Sequence, residues 1–168
     1  YVCDVDQNRL AEGRDTIGKA GGTVPEGVSD FRRILDDPEV EAMAFALPIH
    51  WHAPAAILAC KAGKHVYVEK PCCHNPREGE LLVEAARKYN RVVQMGAQRR
   101  SSAVIMEGMT KLLEGAIGRT YYARGWYAAL RGTMGRGEDG TPPEQLDYDL
   151  WQGPAPRRPY RSNVIHYN

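Results

Sequence analysis

The sequence predicts an α/β protein built on a parallel sheet, and three observations carry that reading. From Tyr1 to Met95, short apolar or β-branched runs alternate with segments of helical pattern. One run, Glu41-Ala42-Met43-Ala44-Phe45-Ala46-Leu47, is apolar almost throughout, as a strand covered on both faces requires. The segments between runs are long enough for a helix, which is what a crossover between parallel strands needs.

The elements follow in order. Tyr1–Asp6 is a short β-prone run ending in acid, and Gln7–Ala20 has helix formers with apolar Leu10, Ala11 and Ile17. Gly21-Gly22 turns the chain, and Asp30 caps a short helix over 31–35 that stops near Asp36-Asp37-Pro38. The strand over 41–47 ends at Pro48, and a helix with Pro54 in its first turn runs to Ala62, where Gly63 terminates it. His65–Val68 is the next strand. Asn75-Pro76-Arg77-Glu78 combines an N-cap, a proline at the first helical position and a capping-box acid, and Leu81, Leu82, Ala85, Ala86 and Tyr89 form the apolar stripe of the helix that follows. Arg91–Met95 closes the alternation. Beyond Gly96 the pattern changes to a helix over 101–113, carrying Ile105, Met109 and Leu112, and a long aromatic-rich strand over Thr120–Leu130. From Arg131 to Pro159, glycine and proline predict loop, interrupted at Asp147–Trp151. A domain over 1–97 and the beginning of a second over 98–168 follow from this change.

Composition narrows the function. The chain has 168 residues, 43% hydrophobic, with 22 basic against 21 acidic side chains, which excludes a disordered chain and offers no basic stripe for nucleic acid. Its apolar runs are too short to cross a bilayer, so no membrane partner is expected. Four cysteines, two of them adjacent, have no framework spacing and fit a reducing, cytoplasmic compartment. A chain opening on Tyr1 in a strand reads as a piece of a longer protein, so an exported form stays open. The ligand-type side chains His50, His52, Cys72, Cys73 and His74 lack paired spacing, and no metal site is expected.

In parallel α/β sheets, ligands sit beyond the carboxyl ends of the strands. Asp4 ends the first strand, where dinucleotide-binding folds place an acid on the adenosine ribose; the plain alternative is a solvated turn residue. Lys70 leaves the strand over 65–68, where a partly desolvated ammonium could give or take a proton; the plain alternative is a surface lysine paired with Glu69. A Gly-x-Gly-x-x-Gly match at Gly135–Gly140 is followed by Thr141-Pro142-Pro143 rather than a helix, and is read as loop. The aromatic residues Tyr121, Tyr122, Trp126 and Tyr127 are read as sheet-face packing.

Four segments carry a family resemblance: Asp36-Asp37-Pro38-Glu39-Val40-Glu41-Ala42, Leu47-Pro48-Ile49-His50-Trp51-His52, Ala62-Gly63-Lys64-His65-Val66 and Glu69-Lys70-Pro71. In this order the chain resembles the glucose-fructose oxidoreductase and inositol dehydrogenase family, Gfo/Idh/MocA. A weaker similarity continues through Leu146–Pro156. The resemblance implies a Rossmann domain lacking its first strand and glycine loop, followed by the start of an α/β domain with a large open sheet. It further implies NAD as cofactor, with NADP as the alternative, and a sugar or cyclitol as substrate. Lys70 matches the family's catalytic lysine. Asp4, Pro48, Ile49, His50, Glu69 and Gln98 match cofactor-binding positions, and Arg99 a position that reaches substrate. Ile49 replaces a polar residue common there. The family's His–Asp pair would lie beyond Asn168, so the piece alone is expected to be inactive, and a homo-oligomer through the second domain's sheet is expected. Two rival functions follow from the same resemblance: an NAD-retaining glycoside hydrolase, and a noncatalytic nucleotide- or sugar-binding protein.

Overall fold

The computed structural model of the protein describes residues 1–126, 132–133 and 135–165. The elements run β1 (Val2–Cys3), α1 (Gln7–Gly21), β2 (Gly27–Val28), α2 (Arg32–Leu35), β3 (Ala42–Phe45), α3 (Ile49–Lys61), β4 (His65–Val68), α4 (Pro76–Lys88), β5 (Val93–Met95), a 3₁₀ turn (Gln98–Ser101), α5 (Ala103–Leu113) and α6 (Tyr148–Gln152). The chain divides into two compact units, Tyr1–Gly96 with Gly135–Asn168, and Ala97–Met134. Residues from Gly135 thus pack as part of the first unit.

Every strand pair is parallel: β1 with β2, β3 with β4, and β4 with β5. They form a two-stranded sheet and a three-stranded sheet of order β3-β4-β5. Alternate residues of a strand direct their backbone groups to opposite edges. Val2 and Asp4 donate toward β2 and Glu41 and Phe45 accept from β4, so Cys3, Ala42 and Ala44 present theirs to the other side. All three residues line one cleft of about 1080 Å³ between the two sheets. Tyr1 donates to Asp37 at 2.8 Å across the amino-terminal end of this cleft.

Local chemistry explains the helices. Asp6, placed in the opening strand by the sequence reading, is instead the N-cap of α1. Its carboxylate accepts from the backbone of Asn8 at 2.8 Å and Arg9 at 3.3 Å. Asn75 caps α4 by accepting from Glu78 N, and Glu78 returns to His74 N at 2.7 Å, a capping box displaced by one residue. Along α4 the buried positions are Leu82 and Ala85, while Leu81 is exposed. Helix α3 begins at Ile49, so Pro54 lies inside it rather than in its first turn. Its buried face is Ala55, Ala56, Ala59 and Cys60, small side chains that let the helix backbone come close to β3 and β4. With Phe31, Phe45, Val66 and Val68 they form the core.

In the second unit, α5 buries none of its residues, and Ile105 and Met109 are exposed. Thr120–Trp126, expected as strand, is irregular; residues 127–130 of that strand lie outside the described residues. A strand exists only against a partner, and none of the described residues of this unit provides one.

The turn after α6 depends on Gly153, whose φ is +49° and whose added Cβ would overlap the Trp51 indole. Gly153→Ala is expected to destabilise the first unit by about 3 kcal/mol, combining overpacking with a positive φ, and to lower Tm by roughly 6–12 °C in thermal denaturation.

Candidate active site

The carboxyl ends of β1 and β3 open on the same end of the cleft, and a third segment closes over them. Asp4, Val5 and Asp6 line it from one side and Leu47, Pro48 and Ile49 from the other, with Leu146, Leu150 and Trp151 across both. Backbone bonds fix this arrangement: Asp147 N donates to Val5 O at 2.9 Å and Gln7 N to Gln145 O at 2.9 Å, while Asp6 pairs with Leu146 in an isolated bridge. On the β3 side, Trp51 Nε1 donates to Leu150 O at 2.9 Å and His50 Nε2 lies 2.9 Å from Trp151 O. The indole of Trp151 stacks on Tyr148 at 5.7 Å.

The predicted residues fall as follows. Asp4 is half-buried, and its Oδ1 accepts from Asp6 N at 2.8 Å, the turn-residue role weighed as the plain alternative; its Oδ2 has no such tie among the described residues. Pro48 is the N-cap of α3, and Ile49 is exposed at its first position. His50 is engaged by Trp151 through its ring. Glu69 and Lys70 follow β4, the strand beside β3, where Glu69 N donates to Phe45 O at 2.9 Å. Lys70 is exposed, so the partial desolvation expected for it is not found among the described residues. The Glu69 carboxylate accepts from Lys70 N at 3.2 Å. Gly96 leaves it room, since a Cβ there would stand 2.9 Å from Glu69 Oε1. Gln98 and Arg99 belong to the 3₁₀ turn of the second unit.

Two organising residues escaped the sequence reading. Asp6 is buried beneath the site, and the signal was there: an Asp directly before a helix-patterned run. His52, which the sequence offers only as an unpaired ligand-type side chain, is buried at 3% exposure with Nε2 2.7 Å from Leu47 O and Nδ1 2.6 Å from Pro71 O. It therefore ties the turn after β3 to the turn that carries Lys70. Its two partners are 5 and 19 residues away, a distance no local pattern encodes.

Electrostatically, the β1 end is acidic. Burial pushes the Cys3 thiol up to about 12, with Asp30 and Asp4 adding to it. Arg32 holds the Asp30 carboxyl below its ordinary value and occupies both of its oxygens.

The profile of an oxidoreductase family with an NAD-binding Rossmann fold, Gfo/Idh/MocA, matches residues 2–97. The chain belongs to this family. It is 36% identical over 99 residues to a levoglucosan dehydrogenase of Pseudarthrobacter phenanthrenivorans, covering 59% of this chain and 25% of that one. It is 26% identical over 123 residues to a myo-inositol 2-dehydrogenase of Thermotoga maritima, covering 73% and 35%. Among solved structures it resembles the WlbA dehydrogenase of Bordetella pertussis in complex with NADH and UDP-GlcNAcA, with a TM-score of 0.60 and 25% identity over 71% of this chain and 33% of that one. The chain thus spans about a quarter to a third of the length of these relatives. The resemblance read from the four motifs is the family that the profile finds, and the parallel α/β architecture agrees with its Rossmann fold. No helix among the described residues is long and apolar enough to cross a membrane.

The donor set fits part of such a cofactor. An acid beyond β1 and the backbone of the Leu47–Ile49 turn suit a ribose and a nicotinamide half. No glycine turn leading from a strand into a helix, the usual pyrophosphate cradle, is found among the described residues, and Gly135–Gly140 is irregular.

Two measurements check the site's wiring. His52→Phe keeps roughly the volume but removes the ring N–H available to the Leu47 and Pro71 carbonyls, and is expected to cost about 1–3 kcal/mol in urea denaturation. Because thiolate is the reactive form, Cys3 is expected to alkylate slowly at pH 8 and to keep accelerating as pH rises past 9 toward 12, followed by iodoacetamide labelling and peptide mass spectrometry.

Proposed function

We propose that the whole protein transfers a hydride between NAD and a hydroxyl-bearing carbon of a sugar or cyclitol, with Lys70 handling the proton at the substrate oxygen. The observation that supports this best is the joining of three strand ends: Asp4 after β1, Pro48–Ile49 after β3 and Glu69–Lys70 after β4. The first two meet in one cleft, and His52 bonds the second to the third. The levoglucosan and inositol dehydrogenases among its relatives point to the same substrate class.

When bound, the nicotinamide supplies the hydride-accepting carbon; the chain's own residues supply position and proton transfer. Asp4 has one carboxylate oxygen without a hydrogen-bond partner among the described residues, open to a ribose hydroxyl pair, and its negative charge opposes a 2′-phosphate and so favours NAD over NADP. Pro48, Ile49 and His50 would offer backbone groups to the cofactor, and the His50 ring meets Trp151 O, holding that turn. Glu69 would hold the nicotinamide ribose. Lys70, with three N–H donors and a flexible stem, polarises the carbonyl during reduction and relays the hydroxyl proton during oxidation. Gln98 on the cofactor and Arg99 on the substrate complete the assignment.

The cleft between β1 and β3 is filled, in this reading, by one further parallel strand and its glycine turn from the rest of the protein. That strand would join the two sheets into a single Rossmann domain of which residues 1–97 are part. From residue 98 the chain would enter the substrate domain, although residues from Gly135 pack with the first unit, and two copies would associate through that domain's sheet. The 168-residue piece alone is expected to show no turnover.

In the full-length enzyme, Lys70→Ala is expected to lower kcat by roughly 10²–10⁴ while NADH affinity, read by fluorescence titration, stays within about threefold. Unchanged turnover on a panel of sugars and cyclitols would remove Lys70 from the mechanism. Asp4→Ala is expected to weaken NADH binding and to shift the NADH-to-NADPH affinity ratio toward NADPH.

A further inference from the structure

His52 is a polar side chain buried in α3 among Ala53, Ala55, Ala56, Ala59 and Cys60, all small and apolar. Burying an imidazole in such company is costly unless its nitrogens find partners. Both nitrogens face a backbone carbonyl, Nε2 that of Leu47 at 2.7 Å and Nδ1 that of Pro71 at 2.6 Å. A phenyl ring would fill the same space, so it is the two carbonyls, and not packing, that call for a histidine.

The two carbonyls sit in turns of unequal support. The exit of β3 is held by its own neighbours: Phe45 O accepts from Glu69 N at 2.9 Å, and Pro48 O accepts from Trp51 N at 2.8 Å in the first turn of α3. The turn that carries the lysine is tied more loosely. Lys70 N donates to the Glu69 carboxylate through a solvent-exposed bond of 3.2 Å, and Pro71 has no N–H to give. What reaches from the interior to this turn is the His52 ring, at the carbonyl one peptide beyond Lys70. A neutral imidazole has one N–H and an imidazolium two, so a bond to Pro71 O requires a proton on Nδ1.

We infer that His52 is a positioning residue for the proton step assigned to Lys70: its Nδ1–H, given to Pro71 O, fixes the backbone from which the lysine projects. The inference rests on that assignment and adds to it. Lys70 is exposed on a long stem, so an error in the backbone beneath it passes undamped to the ammonium. His52 acts through Pro71, and its loss is therefore a loss of rate at unchanged cofactor affinity.

Two amide side chains separate the arms of the ring. From the same Cα, asparagine can place an N–H where Nδ1 lies and glutamine where Nε2 lies. In the full-length enzyme His52→Asn is expected to keep kcat within about fivefold of the parent and His52→Gln to lower it by roughly 10², with NADH affinity, read by fluorescence titration, within about threefold in both. In the Lys70→Ala background His52→Gln should cost less than about twofold more, since the two residues act as a unit. Equal turnover in the two amide variants overturns the inference, as does a full loss from His52→Gln in the Lys70→Ala background. If Lys70→Ala collapses turnover and His52→Gln does not, the positioning role falls and the lysine's stands; if Lys70→Ala costs nothing, both fall. Where neither amide variant folds, nitrogen-15 NMR of the unaltered, histidine-labelled enzyme decides: a proton on Nδ1 of His52 is expected, and a bare Nδ1 overturns the inference.

Discussion

The indole of Trp51 is the point on which the first unit depends. One edge of the ring meets Phe31 at 5.4 Å, and Phe31 in turn meets Phe45 at 5.6 Å, so the part of the chain that follows β2 is packed onto β3. Its Nε1–H donates to Leu150, and Gly153 has no side chain because the ring occupies that space. One side chain thus joins the β1–β2 half, the β3–β5 half and the segment that returns after Gly135. An aromatic residue suits this duty, because it buries a large apolar area while keeping one polar handle for a directed bond.

That joint matters because the two sheets share no strand pairing. Parallel sheets gain most of their stability from cover on both faces and from paired edges. Here the facing edges of β1 and β3 border a cleft instead, and the halves are held by side chains and by turns at its two ends: Tyr1 with Asp37 at one, residues 145–151 with Val5, Gln7, His50 and Trp51 at the other. The strand ends that carry Asp4 and Pro48 are therefore placed by contacts outside the sheet, which a lone hairpin-scale motif could not achieve.

How far the sequence could be read follows the range of the interactions. The His65–Val68 strand and the Asn75 cap agree with expectation because apolar runs and capping residues act within a few positions. Asp6 went into a strand because an acid after a β-prone run and an acid before a helix look alike until the hydrogen bond to Arg9 is seen. Pro54 was placed too early because the start of α3 is set by Pro48 and the exit of β3, not by the later proline. The irregular course of Thr120–Trp126 and the return of residues beyond Gly135 turn on partners distant in sequence, which period and composition do not encode. Within the site, the four motifs located the strand-end residues, whereas the bonds that connect them, from His52, Trp51 and Asp147, are all long-range or buried.

His52 shows why such bonds bear on chemistry as well as stability. Proton transfer by a positioned group depends on placement to within a fraction of an ångström, and a displacement of about 1 Å can cost on the order of 10² in rate. Lys70 is exposed and rides on a long, flexible stem, so its own contacts do not set its position; the backbone beneath it does. That backbone continues into Pro71, whose carbonyl lies 2.6 Å from His52 Nδ1, while Nε2 of the same ring meets the turn ending in Pro48. The buried ring thus sits between two carbonyl acceptors inside α3 and is packed against both turns. The turn expected to guide the cofactor and the turn expected to carry the proton then share a single anchor, and neither can shift without the other.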